Sequence, residues 1–320
     1  MQKHTTMFML MIKALILLVL GFVLLIKGAD WFVDGAAGIA ARFGIPQLVI
    51  GLTIVAMGTS APEAAVSITA ALSGSAGITI GNVVGSNIMN ILVILGVTSI
   101  ITAIAVQKST VRYEIPFMLL VMLGLMVLGM IGGTVSFIDG VILWVLFIIY
   151  FIYLFLMAKK GTGEEEEEEK IRPLWLQIIM LVVGAACIVF GSDLTVDNAS
   201  IIASKLGMDD RLIGLTIVAF GTSLPELVTS VTAARRNKAD IAIGNIVGSN
   251  IFNVLFVVGT TAIITPVTFK TSFAIDSIVS VVAGILLWIG VVKDHKLKRP
   301  MGIVMVLAYA GYFVYLLMGS

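Results

Sequence analysis

The sequence predicts an all-α membrane protein of ten transmembrane helices, built as two inverted five-helix repeats. Three observations carry that prediction. The 320 residues are 59% hydrophobic and only 12% charged, with a mean hydropathy of +1.11, far too apolar for a soluble chain of this length. Ten apolar stretches are each long enough to cross a bilayer, for which about 20 mostly apolar residues suffice. Residues 51–96 return as residues 214–259 at a constant offset of 163, with 28 identities over 46 ungapped positions. Short alternating segments of the kind that build a β-barrel are missing.

In chain order the expected spans are 7–29, 46–72, 78–104, 114–132, 137–158, 173–204, 211–234, 240–265, 271–292 and 300–318. The first exceeds a signal-peptide core and is followed by no small-residue cleavage site, so it reads as a retained span. The second carries Gly58-Thr59-Ser60-Ala61-Pro62-Glu63. Its proline lacks an N–H and clashes with the carbonyl four residues back, so the helix should break there and leave the Gly58 carbonyl without its helical partner. The third places Asn82, Ser86 and Asn90 four apart on one polar stripe, with Gly81 and Gly85 as a small-residue seam for another helix. The fourth and fifth spans complete the first repeat, residues 1–158.

Residues 159–172 form an acidic linker expected on the cytoplasmic side. Six consecutive glutamates, Glu164 to Glu169, are framed by Lys159, Lys160, Lys170 and Arg172, and a run of like charge cannot pack, so it reads as a solvated connector. The second repeat, 173–320, opens with the sixth span, which holds the sole cysteine, Cys187; no intramolecular disulfide can form. The seventh span repeats the break as Gly221-Thr222-Ser223-Leu224-Pro225-Glu226, freeing the Gly221 carbonyl by the same reasoning. The eighth repeats the stripe as Asn245, Ser249 and Asn253 with Gly244 and Gly248. The ninth and tenth spans complete the second set of five.

Five is odd, so equivalent helices of the two repeats cross the membrane in opposite directions. Charge agrees. With both termini outside, the inner loops collect 14 of the 20 Lys and Arg residues, as the positive-inside rule requires of a multi-pass protein of the cell membrane. The copies also diverge at one loop, where Leu72-Ser73-Gly74-Ser75 is answered by Arg235-Arg236-Asn237-Lys238, and only the cytoplasmic loop of an inverted pair should be basic. Asp30 and Asp34 recur as Asp193 and Asp197 near span ends; they could draw cations to an entrance, although a structural or solvated role suits helix ends better.

Two glutamates at matching positions inside membrane-length apolar stretches are expensive and point to an ion site. Thr59, Ser60 and Glu63, like Thr222, Ser223 and Glu226, lie at helix-neighbour spacing, so hydroxyls, a carboxylate and freed carbonyls can converge. These are hard oxygen donors, suited to sodium and calcium and unlike the nitrogen and sulfur sets of zinc or copper. His4 and His295 both fall outside the membrane interior, and no zinc-protease, nucleophile-elbow or P-loop motif is present. The chain is therefore not expected to be an enzyme, and no basic cluster with interleaved aromatics suggests a nucleic-acid partner.

The paired motifs, GTSAPE with GNVVGSNIMN and GTSLPE with GNIVGSNIFN, resemble the alpha repeats of the cation/calcium antiporter superfamily, most closely its sodium/calcium exchanger branch of prokaryotic type. The resemblance covers essentially the whole chain. It implies that Glu63 and Glu226 are shared by calcium and sodium ions, with ligands from the carbonyls of Ala56, Thr59, Ala219 and Thr222, the hydroxyls of Thr59, Ser60, Thr222, Ser223, Ser86 and Ser249, and the amides of Asn90 and Asn253. It implies transported Ca2+ and Na+ rather than a cofactor, and exchange at three sodium for one calcium. Some relatives carry aspartate where this chain has Asn253, which argues against potassium coupling. A calcium/proton antiporter of the same fold and an ion channel are the competing readings. A chain that carries both half-sites is expected to work as a monomer in the lipid bilayer.

Overall fold

The computed structural model describes residues 2–74, 76–160, 172–207 and 219–319, apart from the side chains of residues 2–8, 272 and 319. Helix α1 (Gln2–Phe43) runs well past the expected end at residue 29. No stop signal intervenes until Gly44, which adopts a left-handed backbone at φ +61° while the Ile45 N–H returns to the Ala40 carbonyl at 2.9 Å, a glycine-terminated helix end. The chain resumes as α2 (Gln47–Thr59) and α3 (Ala61–Leu72), bent by 49° at Ser60. This is the break expected of Pro62, and Ser60 leaves helical geometry at φ −84°, ψ 8°.

Helices α4 (Gly77–Ile101), α5 (Thr110–Gly132), α6 (Phe137–Lys160) and α7 (Leu174–Lys205) follow. The seventh expected span falls partly on residues 211–218, outside the described residues; its described part comprises the short α8 (Ala219–Gly221) and α9 (Leu224–Arg235), with Ser223 between them at φ −94°, ψ 3°. Helices α10 (Ala239–Ile264), α11 (Ser272–Val292) and α12 (Arg299–Gly319) end the chain. Among the described residues eight helices are long and apolar enough to cross a membrane, nine with the bent pair. The glutamate run 164–169 also lies outside the described residues.

Four two-residue strands depart from the all-α expectation. β1 (Ile104–Ala105) pairs antiparallel with β4 (Lys296–Leu297), and β2 (Thr134–Val135) with β3 (Val267–Thr268). Thr102 and Thr265 end α4 and α10 in extended geometry. Thr265 precedes Pro266, which disfavours helical backbone at the residue before it. A second feature absent from the sequence reading is the widening of helices into π turns at Gly51–Val55, Asn90–Leu95, Thr110–Glu114 and Asn253–Val258, a distortion that concentrates at functional sites.

The helices form an inner and an outer layer. Of the most apolar 18-residue stretch, 94% is buried in α10 and 78% in α4, against 11–33% in α1, α5, α6, α7, α11 and α12. The outer helices thus carry the lipid-facing surface, and the inner pair is free to hold polar side chains. The long α1 and α7 pack antiparallel along a glycine seam. A Cβ on Gly21 would stand 2.9 Å from the Gly191 carbonyl and one on Gly191 2.8 Å from the Gly21 carbonyl; Gly28 and Gly184 stand in the same relation at 2.9 and 2.8 Å. Gly184 and Gly191 follow Gly21 and Gly28 at the repeat offset, so each repeat gives the other what it receives.

Candidate functional site

Each proline that breaks a helix also starts the next, and the residue after it is a glutamate. Glu63 and Glu226 lie in the first turns of α3 and α9, where unpaired backbone N–H groups and the helix dipole favour negative charge. Both are at most 1% exposed. The two breaks meet: the Ser60 hydroxyl, from the first repeat, donates to Glu226 Oε1 of the second at 2.9 Å. The Thr59 hydroxyl approaches Asn245 Oδ1 at 2.9 Å and the Ala56 carbonyl at 3.3 Å, and the Ser249 hydroxyl reaches the same carbonyl at 3.3 Å. Gly248 makes this closeness possible, since a Cβ there would lie 2.7 Å from the Leu52 carbonyl and 2.8 Å from Ala56 Cβ.

A reciprocal frame of four asparagines joins α4 to α10. Asn87 Nδ2 donates to the Asn250 carbonyl at 3.2 Å, and Asn250 Nδ2 to the Asn87 carbonyl at 3.3 Å. Asn90 Nδ2 donates to Asn250 Oδ1 at 2.9 Å, and Asn253 Nδ2 to Asn87 Oδ1 at 3.2 Å. With their amide nitrogens engaged, Asn90 and Asn253 keep Oδ1 as a buried acceptor without a donor among the described residues. Glu63 Oε2 and Glu226 Oε2 are left in the same condition. A buried polar atom without a partner costs about 1–3 kcal/mol, and these four acceptor oxygens, on four residues at matching positions, are of the hard-donor type that suits a hard cation.

Of the expected site residues, Ala56, Thr59, Ser60, Glu63, Ser86, Asn90, Ser223, Glu226, Ser249 and Asn253 are buried. Thr222 is half-buried, and Ala219 opens α8 beside the residues outside the description. Ser86 lies one turn before Asn90, and Ser223 Oγ is a further buried oxygen without a partner among the described residues.

Three features differ from the sequence reading. Asn82 and Asn245, on the polar stripes of Ser86 with Asn90 and Ser249 with Asn253, spend their amide nitrogens on the preceding helix, although Asn245 Oδ1 still meets the Thr59 hydroxyl. Asn82 Nδ2 turns to the Glu63 carbonyl at 3.1 Å and to Ser67 Oγ at 2.9 Å, and Asn245 Nδ2 to the Glu226 carbonyl at 3.5 Å and to Ser230 Oγ at 3.0 Å, bracing the helix behind each glutamate. The Gly221 carbonyl freed by Pro225 is not open: the Ser192 hydroxyl donates to it at 2.7 Å. Ser192 escaped the sequence reading because Ala29 occupies its place in the first repeat, so repetition gave no signal. Asn87 and Asn250 were also missed, although both copies of GSN carried them.

Asp30 and Asp34 pair with Arg236, which reaches Asp30 Oδ1 at 2.7 Å and also bonds Asp34. Partial burial works against the charged guanidinium, yet Asp34 and Asp30 together carry its pKa above the usual arginine value. These two aspartates therefore serve an ion pair, and the basic loop that distinguishes the repeats fastens α9 to α1.

Residues 13–156 and 176–318 match the family model described as sodium/calcium exchanger protein. The chain is 41% identical over 322 residues to the putative antiporter CaxA of Alkalimonas amylolytica, covering 97% of this chain and all of that one. It is 32% identical over 341 residues to the sodium/calcium exchanger MaX1 of Methanosarcina acetivorans, covering 94% and 97%. The structure is similar to that of the sodium-calcium exchanger NCX_Mj soaked with zero Na+ and Ca2+, with a TM-score of 0.83 and 35% identity over 95% of this chain and 99% of that one.

Proposed function

This chain belongs to the sodium/calcium exchanger family, and from that premise we propose that it is an electrogenic antiporter exchanging three sodium ions for one calcium ion by alternating access. The observation that carries the reading is the set of unpartnered acceptor oxygens on Glu63, Asn90, Glu226 and Asn253, held between helices whose hydrogen bonds are reciprocal at the repeat offset. Glu63 and Glu226 are the shared anionic ligands. Asn90 and Asn253 add amide oxygens, and Thr59, Ser60, Ser86, Thr222, Ser223, Ser249 and the carbonyls of Ala56, Thr59, Ala219 and Thr222 supply the remaining oxygens.

Two ionised glutamates contribute −2, which one calcium cancels, while three sodium ions leave the loaded site at +1. Carrying that charge through the membrane field is worth about 2.3 kcal/mol per 100 mV, so flux responds to voltage. Both ions need the same carboxylates, and this competition, with exposure of the site to one side at a time, is the coupling.

The reciprocal asparagine frame and the Gly21–Gly191 and Gly28–Gly184 seam support two inverted repeats, 1–158 and 173–320, joined by the linker 159–172. Ten spans with both termini outside a cell membrane, working as a monomer, complete the proposal. Proteoliposomes loaded with sodium and diluted into sodium-free medium are expected to take up radioactive calcium, and membrane potential should change the rate. Uptake driven by a pH gradient with no need for sodium would favour the proton-coupled reading instead.

The asparagine frame gives a separate expectation. Asn250→Ala removes the acceptor that holds the Asn90 amide and the donor to the Asn87 carbonyl, and should weaken calcium binding about tenfold, the equivalent of 1.4 kcal/mol. Titration calorimetry on purified protein reads this directly; unchanged affinity would show that the frame does not orient the ligands.

A further inference from the structure

Glu63 and Glu226 are not the only buried acids among the described residues. Glu114, 1% exposed, closes the π turn Thr110–Glu114 at the start of α5. The Tyr153 hydroxyl, from α6, donates to Glu114 Oε1. Among the described residues Glu114 Oε2 and the buried Tyr150 Oη have no hydrogen-bond partner, and the Thr110 hydroxyl lies near enough to the carboxyl to act on it. Thr110 precedes Glu114 on the same turn, and the Tyr150 ring stacks on Phe117 with centroids 5.5 Å apart, within reach of the Glu114 charge.

Among the described residues the groups around this carboxyl supply no positive charge. From α6 it meets Tyr150 and Tyr153. Tyr113 stands beside Tyr153, and Arg112 is engaged over the exposed Tyr113 ring at 5.6 Å. From α11, Trp288 gives its indole N–H to the Val111 carbonyl at 2.9 Å, and from α10 Asn250 Nδ2 meets Met118 Sδ at 3.7 Å. Among the described residues no ion pair reaches Glu114. A bare carboxylate there would be an uncompensated charge inside a membrane protein. One proton on Oε2 removes the charge and gives that oxygen a hydrogen to offer to the hydroxyl oxygen of Tyr150, while Tyr153 continues to donate to Oε1. A related acid–tyrosine pair lies in the second repeat, where the Tyr312 hydroxyl donates to Asp276 Oδ1 at 2.9 Å; Asp276 and Tyr312 follow Glu114 and Tyr150 by 162 residues, so the donor there answers Tyr150 rather than Tyr153, and the acid is only half-buried.

We propose that Glu114, with Thr110, Tyr150 and Tyr153, forms a proton-binding site in the outer helix layer, separate from the paired-carboxylate site and occupied by H+ at neutral pH. It does not depend on which ions the central site exchanges. Infrared spectroscopy of the full chain in lipid tests it, in a Glu63→Gln, Glu226→Gln background that removes the central carboxyl groups. The carbonyl stretch of a protonated carboxylic acid should persist at neutral pH in that background and vanish when Glu114→Gln is added. Tyr153→Phe, which keeps the acid and removes one hydrogen bond, should shift the band without abolishing it. The proposal is overturned if Glu114→Gln removes no protonated-acid band. It is equally overturned if sodium at constant pH abolishes the band, because a cation would then take the proton's place.

Discussion

Glu63→Gln and Glu226→Gln should each reduce sodium-driven calcium uptake to background. Glutamine keeps the shape and one acceptor oxygen, so the change is chiefly one of charge, from −2 to −1 across the pair. It also places an amide N–H₂ among oxygens that lack donors, where Glu63 Oε2 and Glu226 Oε2 now stand as buried acceptors. Removing one partner from a buried charge pair costs about 3–5 kcal/mol, or 100-fold or more in affinity. The two variants should not fail identically. Glu226 Oε1 receives the Ser60 hydroxyl, so Glu226→Gln also disturbs a bond between the repeats and should lower thermal stability more than Glu63→Gln does. Calcium flux in proteoliposomes reads the first effect and thermal unfolding in detergent the second. Retained uptake in either variant would remove that glutamate from the proposed ligand set.

Gly184→Leu has the largest expected effect on stability. A Cβ at Gly184 would lie 2.6 Å from the Phe32 backbone nitrogen and 2.8 Å from the Gly28 carbonyl oxygen. Both obstacles are helix backbone, which cannot rotate aside as a side chain can. Helices in lipid associate through close packing rather than exclusion from water, so separating α1 from α7 forfeits contacts along the whole seam. Overpacking typically costs about 1–3 kcal/mol, and the leucine side chain beyond Cβ should bring the loss to the upper end. Gly311→Ala is the control, because no atom lies within 4 Å of its Cβ position and alanine is the better helix former. The expected result is a clear fall in unfolding temperature for Gly184→Leu and no loss for Gly311→Ala; equal behaviour would mean that the seam does not limit stability.

Much of the site was legible because the chain states it twice. Glu63 and Glu226, the prolines before them and the hydroxyls beside them recur at one offset, and their cost in an apolar setting marks them as candidates for an ion site. Pro62 foretold the bend at Ser60 because its missing N–H and its ring act locally. What escaped depends on long-range geometry. The direction in which Asn82 turns is decided by Ser67 and the Glu63 carbonyl, fifteen and nineteen residues away. Ser192 has no echo in the first repeat. The π turns are shifts of hydrogen-bond register without a residue signature, although two of them begin at Asn90 and Asn253. The length of α1 was underestimated because Asp30 and Asp34 looked like a span end, whereas Arg236 from a distant loop pairs with both.

The central claim is that one set of oxygens serves both ions. Displacement of radioactive calcium from the purified wild-type chain by sodium, at fixed ionic strength and pH, tests it most directly. Sodium should remove calcium completely and with a dependence steeper than one-for-one, because several sodium ions replace one calcium on the same carboxylates. Calcium that stays bound at saturating sodium would contradict the shared site.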